Sequence, residues 1–168
     1  INYSIGKSRF EKPLDEQDIE RLRKISEHPF PDSLLLQVLP DSQMIRVGRV
    51  KTTNITAVHH FYLRRALLTL CFLWDRAQKQ GDLRIRHALL YWIEQSLLSM
   101  SKQNKYEPIQ FGRANIKSSQ VGRYMKGIFY IPSMTTECAP WYVLTGKLTR
   151  LTKAFQQYSP TSNDVCIT

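Results

Sequence analysis

Acidic residues are in short supply. The chain has 14 Asp and Glu against 24 Lys and Arg, a formal charge of +10 over 168 residues. That shortage favours an anionic partner, either nucleic acid or an anionic membrane surface, and nucleic acid is the preferred reading. The plain rival is a basic patch that only aids solubility. Cysteine is also scarce. Cys71, Cys138 and Cys166 lie far apart, and an odd, unpaired count excludes both a disulfide framework and a zinc motif. Reduced thiols imply an intracellular, cytoplasmic chain. No apolar run approaches the ~20 residues of a membrane span, and no signal peptide is visible, so no membrane partner is expected. General disorder is excluded in turn, because hydrophobic residues make up 42% of the chain.

Recognisable catalytic motifs are missing too. Gly6-Lys7-Ser8 invites a phosphate-loop reading, but that loop needs an earlier Gly where Ile1 stands, and no apolar strand precedes it. There is no Gly-rich loop after a strand, no serine elbow and no pair of carboxylates placed for acid–base work. His28, His59, His60 and His87 suggest a metal at first sight. Adjacent residues on a helix point about 100° apart, so His59 and His60 make a poor chelate. No carboxylate or Cys lies three or four residues from them. One of the pair reads as a hydrogen-bonded structural histidine, the other as a phosphate or substrate contact. No metal is expected.

What is present is helical periodicity. Asn54 to Gln80 reads as one long helix, with Leu63, Leu67, Leu70, Trp74 and Ala77 on one face. Asn54 or Thr56 is its candidate cap and Gly81 its stop. Its first turns carry His59, His60, Arg64 and Arg65, the candidate border of a pocket. Leu83 to Gln103 is a second helix with Ile85, Leu89, Trp92, Ile93, Ser96, Leu97 and Met100 on its apolar face. The short turn between the two predicts a helical hairpin. A third helix, about 138–158, is expected to be capped by Thr135 or Thr136, with Pro140 in its first turn. Its expected seam is Trp141, Leu144, Leu148, Leu151 and Phe155.

The fold class is therefore mainly α with minor β: three long helices (about 55–80, 83–103 and 138–158), a short N-terminal helix and short strands. Residues 1–53 hold an extended basic arm (Ile1 to Pro13), an amphipathic helix (Leu14 to His28, capped by Asp15) and a loop. Residues 54–158 form the helical body, and 159–168 the entry to a strand. Leu34 to Leu39 suits a strand or an apolar loop, and Gly127 to Pro132 a short strand. The chain opens at Ile1 and stops at Val165-Cys166-Ile167-Thr168, which reads as the start of a buried strand. A lone strand cannot satisfy its backbone groups, so a sheet supplied by further sequence is expected.

Charge is patterned as well. No acid occurs from Gln43 to Trp74, where Arg46, Arg49 and Lys51 occupy a basic strand or mobile loop. None occurs from Pro108 to Thr136 either. There, within the loop 106–126, Arg113, Lys117, Arg123 and Lys126 alternate with Phe111 and Tyr124. Basic side chains pair with phosphates while aromatics stack on exposed bases. The eight candidate nucleic-acid contacts are thus Arg46, Arg49, Lys51, Arg113, Lys117, Arg123, Tyr124 and Lys126. A solvated loop with its aromatics in the core is the equal rival for the second cluster.

Several blocks resemble a known family in order along the chain. They are Lys7 to Pro13, Ile55 to Arg65, Leu90-Tyr91-Trp92-Ile93-Glu94-Gln95, Gly127 to Ser133, and Trp141 to Leu148. Together they are similar to the central region of large bacterial DNA methyltransferases of the amino type, which act on N4 of cytosine or N6 of adenine. The resemblance implies a piece of a larger α/β enzyme using S-adenosylmethionine. The donor loop would lie upstream and the Asp-Pro-Pro-aromatic motif downstream, with target recognition between them. Ala139-Pro140-Trp141-Tyr142 lacks the acid or amide and the second proline of that motif and is read as core. The implied partners are DNA and the remaining segments of the same enzyme. The chain alone is expected to bind no cofactor and to have no catalytic residue. The alternative is a free-standing nucleic-acid-binding module. Restriction-modification, defence and regulation stay open as settings.

Overall fold

A computed structural model describes residues 1–5, 8–31, 37–106 and 130–157. The chain divides into two units, Ile1–Phe30 and Pro31–Thr168.

In the first unit the N-terminal arm folds back on itself. Strands β1 (Asn2–Ile5) and β2 (Ser8–Glu11) pair antiparallel, with Tyr3 opposite Phe10. Those two rings stack with centroids 5.4 Å apart, the cross-strand aromatic pair that steadies a hairpin. The arm is thus extended but not open, and residues 6–7 lie outside the described residues. Helix α1 (Glu16–Glu27) starts where the sequence puts it. The Asp15 side chain accepts the Asp18 N–H at 2.9 Å and Asp18 returns the bond, a reciprocal cap. Lys12 Nζ sits 2.6 Å from both carboxylates.

Lys12 and the Asp18 amide hold the Asp15 carboxyl down to about 2. A carboxylate depressed in the folded state stabilises it above the unfolded value and loses that effect as pH falls through the folded one. The Asp18 amide resonance is therefore expected to hold steady from neutral pH to about 4 and to move as pH approaches about 2. An NMR titration checks this.

In the second unit the expected long helix from Asn54 is broken. Asn54 takes a left-handed turn (φ 51°), residues 55–56 are irregular and Ala57 is extended. A 3-10 turn covers Val58–Phe61, and only then does α4 (Arg64–Gln78) begin. Tertiary pairing wins over helical propensity here. Leu39 N–H donates to Thr56 O and Val58 N–H to Gln37 O, both at 2.9 Å, around a bridge between Val38 and Ala57. This short ladder satisfies backbone groups that a continuous helix would have satisfied internally. It also turns Ile55 and Phe61 into a small core with Val50 and Ile131.

The basic stretch from Arg46 to Lys51 is neither strand nor open loop. It forms two short helices, α2 (Gln43–Arg46) and α3 (Gly48–Thr52), joined where Gly48 adopts φ +64°. Glycine takes that conformation at no steric cost, and the break falls there.

The main core lies between α4, α5 (Leu83–Leu97) and α6 (Pro140–Gln157). Asp82 caps α5 by accepting the Ile85 N–H at 3.0 Å. The four-residue connection sets α4 and α5 side by side as the expected hairpin. A 3-10 turn, Leu98–Met100, closes α5. Ala66, Leu70, Ala77, Ile93, Met100, Val143 and Leu144 are buried together. Trp92 Nε1–H donates to Leu144 O at 2.9 Å and pins α6 to α5.

Helix α6 is rotated from its expected seam. Val143 and Leu144 are buried and Leu151 half-buried, whereas Trp141 is 79% exposed and Leu148 and Phe155 are exposed. Trp141 and Tyr142 are not core. Thr135 and Thr136 do not cap the helix either. Thr136 N–H donates to Asn104 O, and Tyr106 N–H donates to Met134 O, both at 2.9 Å. This clip aligns 134–136 with 104–106, so the helix starts later, at Pro140. Asn104 anchors the clip from a fully buried position. Its Nδ2 donates to Ser99 O at 2.6 Å and Ser101 O at 3.2 Å.

The expected strand at Gly127–Pro132 has no strand over 130–132, and 127–129 lie outside the described residues, as does the terminal segment 159–168. The described residues are thus mainly helical, with a single two-stranded hairpin.

Candidate nucleic-acid interface

Within the acid-free run from Gln43 to Trp74, Val50, Ile55 and Phe61 build the small core, and Ala66 and Leu70 belong to the main one. Val50 on α3 is buried in the small core, which fixes the opposite side of α3 toward solvent. Arg49 and Lys51 are both exposed there, and neither has a carboxylate within ion-pair distance among the described residues. Arg46 differs. Its guanidinium meets Asp41 through Nε, 2.6 Å from Oδ1, and through a second contact from Nη2 to Oδ2. Asp41 lies just outside the acid-free window and pairs with this arginine at the exposed surface. A fork of this kind matches carboxylate geometry as well as it matches phosphate.

The four candidate pocket residues have different surroundings. Arg65 Nε donates to Glu137 Oε1 at 2.9 Å, tying the start of α4 to the segment before α6. Its charge is spent in a structural pair. Arg64 is half-buried at the head of α4. His59 and His60, by contrast, come together, with ring centroids 4.2 Å apart and planes inclined by 66°. His60 Nδ1 accepts the Thr56 backbone N–H at 3.2 Å. His59 Nδ1 is buried without a hydrogen-bond partner. Burial first, then repulsion from His60 and Lys102, pushes the His59 imidazole below its ordinary value.

Lys102 was not legible as part of this site. It follows the second helix in sequence and reaches the 3-10 turn because its N–H donates to Phe61 O at 2.7 Å. Burial also lowers its ammonium group's pKa. Helix α6 adds Lys147, Arg150 and Lys153, which pair with no acid among the described residues. The other candidate contacts, Arg113, Lys117, Arg123, Tyr124 and Lys126, lie outside the described residues, as does the rest of 107–129.

Gly48, Gly81 and Gly146 each face open space where a Cβ would stand. Among the described residues, no group of three or more His, Cys, Asp or Glu is placed to hold a metal ion, and Cys71 and Cys138 are free thiols. No described helix is long and apolar enough to cross a membrane.

The chain matches no family model, no curated protein and no solved structure.

Proposed function

We propose that this chain is the DNA-contacting portion of a site-specific DNA amino-methyltransferase, acting beside donor-binding and catalytic segments of the same enzyme. One observation carries the DNA-contacting part. The acid-free run folds so that Arg49 and Lys51 stand exposed on α3 without carboxylate partners among the described residues. Cations in that state bind phosphates and release condensed counterions. The methyltransferase part is supported by the ordered blocks of sequence resemblance. In such an enzyme S-adenosylmethionine supplies the methyl group for an exocyclic base amine. This chain's part is to hold the duplex backbone while a base leaves the stack.

The purified chain is expected to bind duplex DNA and to transfer no methyl group. Changing Arg113→Gln, Lys117→Gln and Arg123→Gln together should flatten the slope of log affinity against log salt by up to about 2.7, if each cation covers one phosphate. Fluorescence anisotropy at several salt concentrations measures it. An unchanged slope removes that loop from the interface. Methylation by the purified chain overturns the division of labour.

A further inference from the structure

Helix α6 has a second apolar edge besides the one in the core. Val143 and Leu144 pack into the main cluster, while Trp141 is 79%, Phe155 57% and Leu148 42% exposed. These three stand seven residues apart, so at about 100° per residue they fall within about 40° of one another and form one stripe. Thr145 and Thr152 lie between them and are exposed too. The Thr152 hydroxyl already donates to Leu148 O at 3.1 Å within its own helix.

The stripe carries no charge. The helix has no acidic residue. Its cations, Lys147, Arg150 and Lys153, stand about 100° or more around the axis from the centre of the stripe. That placement decides between partners. Phosphates need cations at the contact, and a helix lying in an anionic membrane surface carries them on its polar face, along the apolar one. An acidic protein partner would meet no counter-charge on this edge. An uncharged apolar stripe is matched by another like itself, and the cations of two such helices stay apart.

The stripe is also symmetric about its middle. Trp141 and Phe155 lie seven residues either side of Leu148, about 10 Å each way along the axis. A two-fold axis at Leu148 therefore sets Trp141 of each copy on Phe155 of the other, and the contact closes on itself. Seven-residue spacing suits helices crossing at about 20°, and the antiparallel arrangement aligns their dipoles favourably. With about 150–250 Å² for each aromatic side chain, the contact buries roughly 1,000 Å² in all, the lower bound for a specific interface.

We propose that this edge of α6 is the interface of a homodimer, an antiparallel two-fold contact between two copies of the chain. A contact this small gives a reversible dimer with a dissociation constant of roughly 100 µM, so the chain is mostly monomeric at about 10 µM. The dimer is independent of what Arg49 and Lys51 bind, and salt separates the two. Each copy carries a net charge of +10. Added salt screens that repulsion and tightens the dimer, whereas it weakens contact with phosphates.

Sedimentation equilibrium on the full chain, from about 10 µM to about 1 mM, tests the interface. A monomer–dimer equilibrium is expected, tightening as salt is raised. Leu148→Glu sets two carboxylates against each other on the axis and should weaken the dimer at least about tenfold. Phe155→Ala, at an exposed position in the last turns of the helix, should do the same without touching the core. Lys153→Gln, on the far side, should not weaken it. In a mixture of isotope-labelled and unlabelled chains, Trp141 and Phe155 rings should give an intermolecular NOE, since about 21 Å separates the two positions within one helix. A chain that stays monomeric to about 1 mM overturns the proposal, whether or not it binds DNA. So does a dimer that salt dissociates, one indifferent to both stripe variants, or one lacking that NOE. NOEs from Trp141 to residues 158–168 of the same chain, seen in the monomer, would mean that the chain covers its own stripe, and overturn it as well.

Discussion

Truncating Ile93 to Ala is expected to destabilise the helical unit by about 2–5 kcal/mol, the range for deleting a buried aliphatic side chain and leaving part of its volume empty. Ile93 is 1% exposed and lies in the cluster formed by α4, α5 and α6. The same cluster includes Ala66, Ala77 and Cys138, small side chains with little reach to refill a void. For a chain of this size each kcal/mol lowers the thermal midpoint by about 2–4 °C, so a fall of roughly 5–20 °C is expected. Trp141→Ala is the control. Although Trp141 headed the expected seam of α6, it is 79% exposed, and its loss should stay within about 0.5 kcal/mol. Calorimetry of both variants separates the two placements of the helix face. Comparable losses would restore the seam read from periodicity.

Removing the two open cations of α3 is the second large effect. Arg49→Gln with Lys51→Gln should flatten the salt slope of duplex binding by about 1.8, that is about 0.9 for each phosphate released. Arg46→Gln, tested alone, should change it much less, because Asp41 already engages that guanidinium. The contrast matters because all three residues belong to one basic run and look equivalent by sequence. Equal effects from Arg46 and Arg49 would mean that the Asp41 pair does not persist in solution.

Local signals in the sequence were the ones that survived. Asp15 begins α1 as a cap, Pro140 opens α6, and the Gly81-Asp82 turn joins the α4–α5 hairpin. Leu67, Leu70 and Ala77 face the core as their spacing requires, whereas Leu63 and Trp74 of the same expected face are exposed. Two of the misreadings share a physical origin, which is long-range pairing. The segment 55–62 has helical spacing, yet its backbone is claimed by 37–39 on one side and, through Phe61 O, by Lys102 on the other. Thr135 and Thr136 look like caps until the clip with 104–106 takes their backbone. On α6, a helix this long offers several apolar stripes, and periodicity alone does not rank Val143 over Trp141. For the site, the acid-free run was visible as composition. The ion pair of Arg65 was not, since Glu137 stands 72 residues away and meets it only through the fold.

The most direct measurement is the salt dependence of duplex DNA binding by the unmodified chain. The account predicts that log affinity falls linearly with log salt, with a slope steep enough for several phosphate contacts, at about 0.9 for each. Binding that does not change with salt, or no binding at low salt, would contradict the claim that this acid-poor surface grips a polyanion.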